Sequence, residues 1–254
     1  MPALREAQAV EYFHLAFLQV LQGRLYQETY VLKGGANLRY FFQSVRYSED
    51  IDLDASGIEV WALEEKVDGV LQAPALTMLL RTGGLQVGDF SKPKQTETTQ
   101  RWKVPVTLEG RAEPLRTKIE FSRRNGEERL ILEAVPGRIV APYALRAPTV
   151  RHYLADVATE QKIEALAGRS DTQARDVFDL DLLLRRQPGV PAPLSARLRE
   201  QAALLALQLP FAAFRDQVLP FLDSEIAELY SAPESWEQIR GYVVERLLED
   251  DEGH

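Results

Sequence analysis

The chain has 254 residues, 45% of them apolar and 27% charged, enough for one large domain or two modest ones with their own cores. It contains no cysteine, which excludes disulfides, thiolate nucleophiles and cysteine-ligated zinc, and its three histidines, His14, His152 and His254, lack metal-ligand spacing. The net charge of −8 argues against a uniformly basic nucleic-acid binder, but residues 81–151 hold 14 Lys and Arg against 8 Asp and Glu, which leaves −14 on the remainder; a basic middle section of this kind suits a polyanionic acceptor.

Taken in order, residues 4–27 have the spacing of an amphipathic helix, with Val10, Phe13, Phe17, Leu18 and Leu21 on one face. His14 falls within it and reads as structural. Tyr30, Val31 and Leu32 end a short buried strand, and Gly34-Gly35 breaks the chain directly afterwards. Residues 36–43 are helix-compatible and place Leu38, Phe41 and Phe42 on an apolar face. The segment Arg46-Tyr47-Ser48-Glu49-Asp50-Ile51-Asp52-Leu53-Asp54 follows. In an extended chain alternate residues share a face, so Asp50, Asp52 and Asp54 point one way while Ile51 and Leu53 point into a core. Carboxylates brought together repel unless a cation sits between them. Hard oxygen donors at this spacing suit Mg²⁺ or Mn²⁺, which keep several waters and bind substrate phosphates. The bare backbone N–H groups of Gly34 and Gly35, ahead of a helix, attract phosphate. A phosphate cradle beside a metal clamp points to nucleotidyl transfer. Ser48, two residues before Asp50, is placed near the triphosphate.

Residues 60–71 read as a helix, and residues 77–122 as β-structure punctuated by Gly83-Gly84 and Pro93. In LRTKIEF, Leu115, Thr117, Ile119 and Phe121 share one face, and Arg116, Lys118 and Glu120 the other. Residues 123–126 form a turn, residues 129–133 a short strand, and Pro148 marks the boundary between halves. His152 is left open as a substrate contact. From Leu154 onward the pattern is helical, broken at Pro210, Pro220 and Pro233, with Leu204, Leu205, Leu207 and Leu209 read as core and residues 249–252 as a solvated acidic end. Lys162 and Arg169 lie seven residues apart on one helical face, as do Asp176 and Asp179 at a spacing of three.

Strand, Gly-Gly, helix and Asp-x-Asp in this order resemble the polymerase-β-like nucleotidyltransferases. The fuller pattern LKGGANLRYFF…RYSEDIDLD is similar to that of the AbiEii/AbiGii-type toxins, the family that includes the MenT-like toxins acting on tRNA. A second signature of that family, K-x-x-A-L-x-x-R followed by (K/R)-D-x-(F/Y)-D-L, is met by Lys162, Ala165, Leu166, Arg169 and then Arg175-Asp176-Val177-Phe178-Asp179-Leu180. The resemblance implies an α+β fold, with a catalytic mixed sheet and flanking helices in residues 1–148. A helical domain closing the active-site cleft is expected in residues 149–254. It implies transfer of a nucleoside monophosphate from NTP, with Asp50 and Asp52 as metal ligands and Lys33, Gly34, Gly35, Ser48 and Arg169 as phosphate-binding residues. Lys162 and Asp176 take catalytic roles: Lys162 neutralises triphosphate charge, and Asp176 either holds Lys162 or Arg169 or approaches the acceptor. A third carboxylate on the strand beside Asp-x-Asp would be Glu120, although many relatives carry Asp there. The expected acceptor is the 3′ end of tRNA, the expected partner a cognate antitoxin, and the expected location cytoplasmic, since no apolar run or signal peptide suggests a membrane. The alternatives are modification of a protein or small molecule, or a relative that binds nucleotide without turnover.

Overall fold

The computed structural model describes residues 4–123, 129–186 and 194–249, so residues 124–126 of the turn read at 123–126, most of the acidic end and His254 lie outside the described residues. It divides into two units: residues 1–43 with 47–153, and residues 44–46 with 154–254. The fold is α+β.

The first unit opens with α1 (Glu6–Leu21), whose residues Val10, Phe13, Phe17, Leu18 and Leu21 are all buried. Then come β1 (Tyr30–Lys33), α2 (Gly34–Phe41), β2 (Ile51–Ala55), α3 (Val60–Leu71), α4 (Pro74–Thr82), β3 (Leu85–Val87), β4 (Ser91–Gln95), β5 (Thr99–Leu108), β6 (Leu115–Ser122), β7 (Leu130–Ala134), α5 (Gly137–Val140) and β8 (Thr149–Tyr153). The strands form one mixed sheet in the order β3-β5-β6-β2-β1-β8-β7, with β4 also paired to β5. The β1–β8 and β2–β6 pairs are parallel and the others antiparallel.

Three sequence expectations change here. Residues 77–82 are helical rather than β: Pro74 sits in the first turn of α4, where its missing N–H is harmless, and Leu76 and Leu80 bury one face at a spacing of four. The sheet unit runs past the boundary read at Pro148, because residues 149–153 pair with both β1 and β7. On α2 the fully buried aromatic is Tyr40 rather than Phe42, and half-buried Phe41 stacks on the His152 ring with centroids 3.6 Å apart.

The second unit carries α6 (Ala155–Gly168), α7 (Ala174–Arg186), α8 (Ala196–Leu207), α9 (Phe211–Gln217), α10 (Ser224–Leu229) and α11 (Pro233–Leu248). Its core gathers Ile163, Leu166, Val177, Leu180, Phe214, Trp236 and Val243, with Phe214 stacked on Trp236 at 4.9 Å. The leucine-rich run divides differently from its sequence reading. Leu209 is buried, but Leu204 and Leu207 are 61% and 48% exposed, because helical period turns the small residues Ala202, Ala203 and Ala206 inward. Among the described residues no helix is long and apolar enough to cross a membrane.

Candidate active site

Alternation on β2 buries Ile51 and Leu53 completely and sends Asp52 and Asp54 to the opposite face of the sheet. The neighbouring strands extend that polar face. Lys33 of β1 lies opposite Asp52, Glu120 of β6 lies beside Asp52 on the other side, and Arg101 and Lys103 of β5 face Glu120 and Lys118. The apolar side of β6 is Leu115, Thr117, Ile119 and Phe121, as its alternation predicts.

The three aspartates meet different surroundings. Asp50, just ahead of β2, accepts the backbone N–H of Lys118 at 2.9 Å and its ammonium at 2.6 Å. Partial burial nevertheless lifts its carboxyl above the ordinary aspartate range, with Lys118 pulling the other way. Asp52 packs against Gly34. That glycine sits at φ +67°, where L side chains are strained, and a Cβ on it would stand 2.8 Å from Asp52 Oδ2. Asp54 is buried, accepting from the Lys33 ammonium and from the Tyr153 hydroxyl at 2.8 Å. Lys33, expected at phosphate, is therefore engaged inside the sheet face. Ser48, expected near the triphosphate, donates to the carbonyl of Asp50 at 2.7 Å and shapes the turn into β2. Gly35 is buried in the first turn of α2.

Asp50 and Asp52 supply hard oxygen donors, and the partly buried Asp50 carboxyl is one that a divalent cation would hold ionised. This fits Mg²⁺ or Mn²⁺ with remaining positions filled by water and substrate phosphate. Among the described residues no three or more His, Asp or Glu are grouped to hold a metal. Glu120 lies beside Asp52 in the sheet register, and its carboxylate accepts Arg101 Nε at 2.6 Å.

Behind the carboxylates runs a chain that sequence reasoning missed. Thr117 donates its hydroxyl to the carbonyl of Glu49 at 2.7 Å, so it must accept from His14 Nε2, also at 2.7 Å. Burial lowers the His14 pKa to about 3, which keeps the ring neutral, and α1 is thereby tied to the peptide preceding Asp50. The only sequence signal was the inward phase of Thr117 on β6. His152 is likewise buried, bonded through Nε2 to Glu133 at 2.9 Å, a position that makes it part of the β7–β8 pairing.

The second unit holds a buried charge cluster. Asp179 takes Arg46 through both carboxylate oxygens, at 3.0 and 2.7 Å from Nη2 and 3.1 Å from Nε. Lys162 Nζ lies 2.9 Å from Asp176 and 2.7 Å from Asp179, and Arg169 Nη1 lies 3.0 Å from Asp176 Oδ2. Both aspartates are fully buried. Burial alone would lower the Lys162 pKa, but Asp176 and Asp179 outweigh it and raise it; burial would raise that of Asp179, but Arg46 and Lys162 outweigh it and lower it. These are contacts between helices, not the solvent-facing pairs that spacing alone permits. Asp176 touches both cations proposed for it. Arg46 was present in the first signature without a role, and nothing in the sequence paired it with Asp179, 133 residues away.

No curated protein sequence matches the chain. Two solved structures are similar across nearly the whole chain. One is JHP933 from Helicobacter pylori, with 19% identity and a TM-score of 0.54 over 94% of this chain and 93% of that one. The other is an H. pylori protein described as a candidate nucleotidyltransferase, with 20% identity and a TM-score of 0.58 over 97% and 99%. At such identity the likeness speaks for the fold alone. The model of the family described as nucleotidyl transferase AbiEii toxin, type IV toxin–antitoxin system, matches residues 16–240, and the chain belongs to that family.

Proposed function

We propose that this chain transfers a nucleoside monophosphate from an NTP to the 3′ end of an RNA, with tRNA as the physiological acceptor, and that this transfer blocks translation. The observation that carries the reading is the approach of Gly34, whose left-handed backbone brings the start of α2 against the Asp52 carboxylate, with Asp50 held two residues before it by Lys118 of β6. In the reaction the acceptor 3′-hydroxyl attacks the α-phosphorus, the α–β phosphoanhydride bond breaks, and pyrophosphate leaves. A divalent cation held by Asp50 and Asp52 would supply charge neutralisation to the triphosphate and leaving group. The first-turn amides of α2 offer donors to phosphate oxygens, and Gly34 leaves room for their approach. Lys118 keeps Asp50 oriented, and the His14–Thr117–Glu49 chain fixes the peptide before it. In the second unit, Asp176 holds the cations Lys162 and Arg169 in place. Family membership implies an antitoxin as partner; tRNA withdrawn from aminoacylation is the reason one is needed.

The test is incubation of purified protein and Mg²⁺ with total RNA and each radiolabelled NTP separately. Labelled tRNA with one preferred nucleotide is the expected result. Label on protein or a small molecule instead of RNA would overturn the acceptor while retaining the chemistry.

A further inference from the structure

A groove of about 370 Å³ opens beside Asp50, lined among others by Asp89, Lys103, Pro105, Arg116 and Lys118. The β5–β6 register places Lys103 directly across from Lys118, and Pro105 across from Arg116, so three cations share one patch of the sheet face that carries Asp52. Like charges opposed on a sheet destabilise it. Lys118 is neutralised by Asp50. Lys103 and Arg116 are exposed, and among the described residues neither side chain has a hydrogen bond or ion pair, Asp89 included. Two unneutralised cations are thus held on rigid strands, with a proline ring between them, next to a carboxylate assigned to the reaction.

We propose that this groove is the acceptor subsite: Lys103 and Arg116 hold a phosphodiester of a single-stranded RNA end, and Pro105 supports the adjoining sugar or base. The inference rests on the nucleotidyl-transfer reading for its placement, because the acceptor hydroxyl must arrive beside Asp50. An acidic peptide would satisfy the charge, but it would leave the flat apolar surface of Pro105 unused. A phosphate anion would neutralise Lys103 and Arg116 together, and ribose or base would cover the ring.

The experiment measures binding of a fluorescein-labelled single-stranded RNA oligonucleotide to the full chain by anisotropy, without nucleotide and across a series of salt concentrations. Each phosphate contact on a single strand contributes about 0.7 to the slope of log K against log salt. Lys103→Ala combined with Arg116→Ala should therefore lower the slope by about 1.4 and weaken low-salt binding by about tenfold or more. Lys66→Ala, on the exposed side of α3, should leave both unchanged. In steady-state assays the double variant should raise KM for RNA and leave KM for NTP alone. The inference is overturned if the double variant keeps the wild-type slope and affinity, if Lys66→Ala loses as much, or if the wild type binds an acidic peptide and no RNA. Because binding is read without turnover, a loss in the double variant with RNA left unextended keeps the RNA-binding groove and overturns its acceptor role. A wild type that extends RNA while the double variant keeps its RNA KM removes the groove and leaves the proposed reaction intact.

Discussion

Asp179→Asn probes the buried cluster that ties Arg46 to the helical unit. The native carboxylate is fully buried and serves two cations, Arg46 at 4% and Lys162 at 12% exposure. Removing one partner of a buried ion pair leaves an uncompensated charge and costs about 3–5 kcal/mol. For a chain of this size each kcal/mol moves Tm by about 2–4 °C, so the variant should melt about 6–20 °C lower at neutral pH. The pH dependence follows from the shifts. Asp179 titrates below its ordinary value in the folded protein, so its contribution is complete above the unfolded pKa of about 3.9 and is lost as pH falls through the folded value. Lys162 titrates above its ordinary value, so its contribution is complete below about 10.4 and is lost as pH rises through the folded value. Thermal scans of wild type and variant should thus show the widest gap between about pH 4 and 10, narrowing on further acidification. A variant melting within about 2 °C of wild type at pH 7, or a gap undiminished at about pH 2, would refute the cluster as described.

Two further perturbations address the sheet unit. Gly34→Ala forces a side chain into a left-handed position and toward Asp52 Oδ2, so chemical denaturation should report a loss of about 1–3 kcal/mol and turnover should fall; unchanged stability and rate would mean that α2 starts elsewhere. His14, neutral in the fold with a pKa lowered to about 3, binds a proton on unfolding below its ordinary value of about 6.5. Stability should therefore fall by up to about 1.4 kcal/mol per pH unit on acidification through that window, and His14→Gln should flatten the slope; urea titrations at several pH values that give equal slopes would contradict it.

Local pattern carried far in this chain. Alternation placed Ile51 and Leu53 inward and Asp52 and Asp54 on the opposite face, and it phased Leu115, Thr117, Ile119 and Phe121 correctly, because one buried face imposes a strict period of two. The helix at 60–71 was equally legible from its spacing. What failed needed tertiary information. Leu204 and Leu207 look like core by composition, and only the packing of Ala202, Ala203 and Ala206 shows which stripe is buried. The strand at 149–153 is too short to outweigh the helical pattern after it, and it is fixed by pairing with β1 and β7. Register also brings Lys33 to Asp54 and Glu120 to Arg101, contacts that motif order neither specifies nor excludes. Arg46–Asp179 and His14–Thr117 join residues more than a hundred positions apart, and no spacing within a motif predicts them.

The central claim is that Asp50 and Asp52 carry metal-dependent nucleotidyl transfer. Its most direct measurement is Mg²⁺-dependent pyrophosphate release from NTP with RNA acceptor, by wild type, Asp50→Asn and Asp52→Asn, with each variant shown folded by circular dichroism. Both substitutions remove a hard anionic ligand and, for Asp50, a carboxyl that burial already lifts, so the fold should persist while turnover falls by well over about tenfold and chelation silences the wild type. Turnover within about tenfold of wild type in either folded variant, or release undiminished by chelator, would contradict the account.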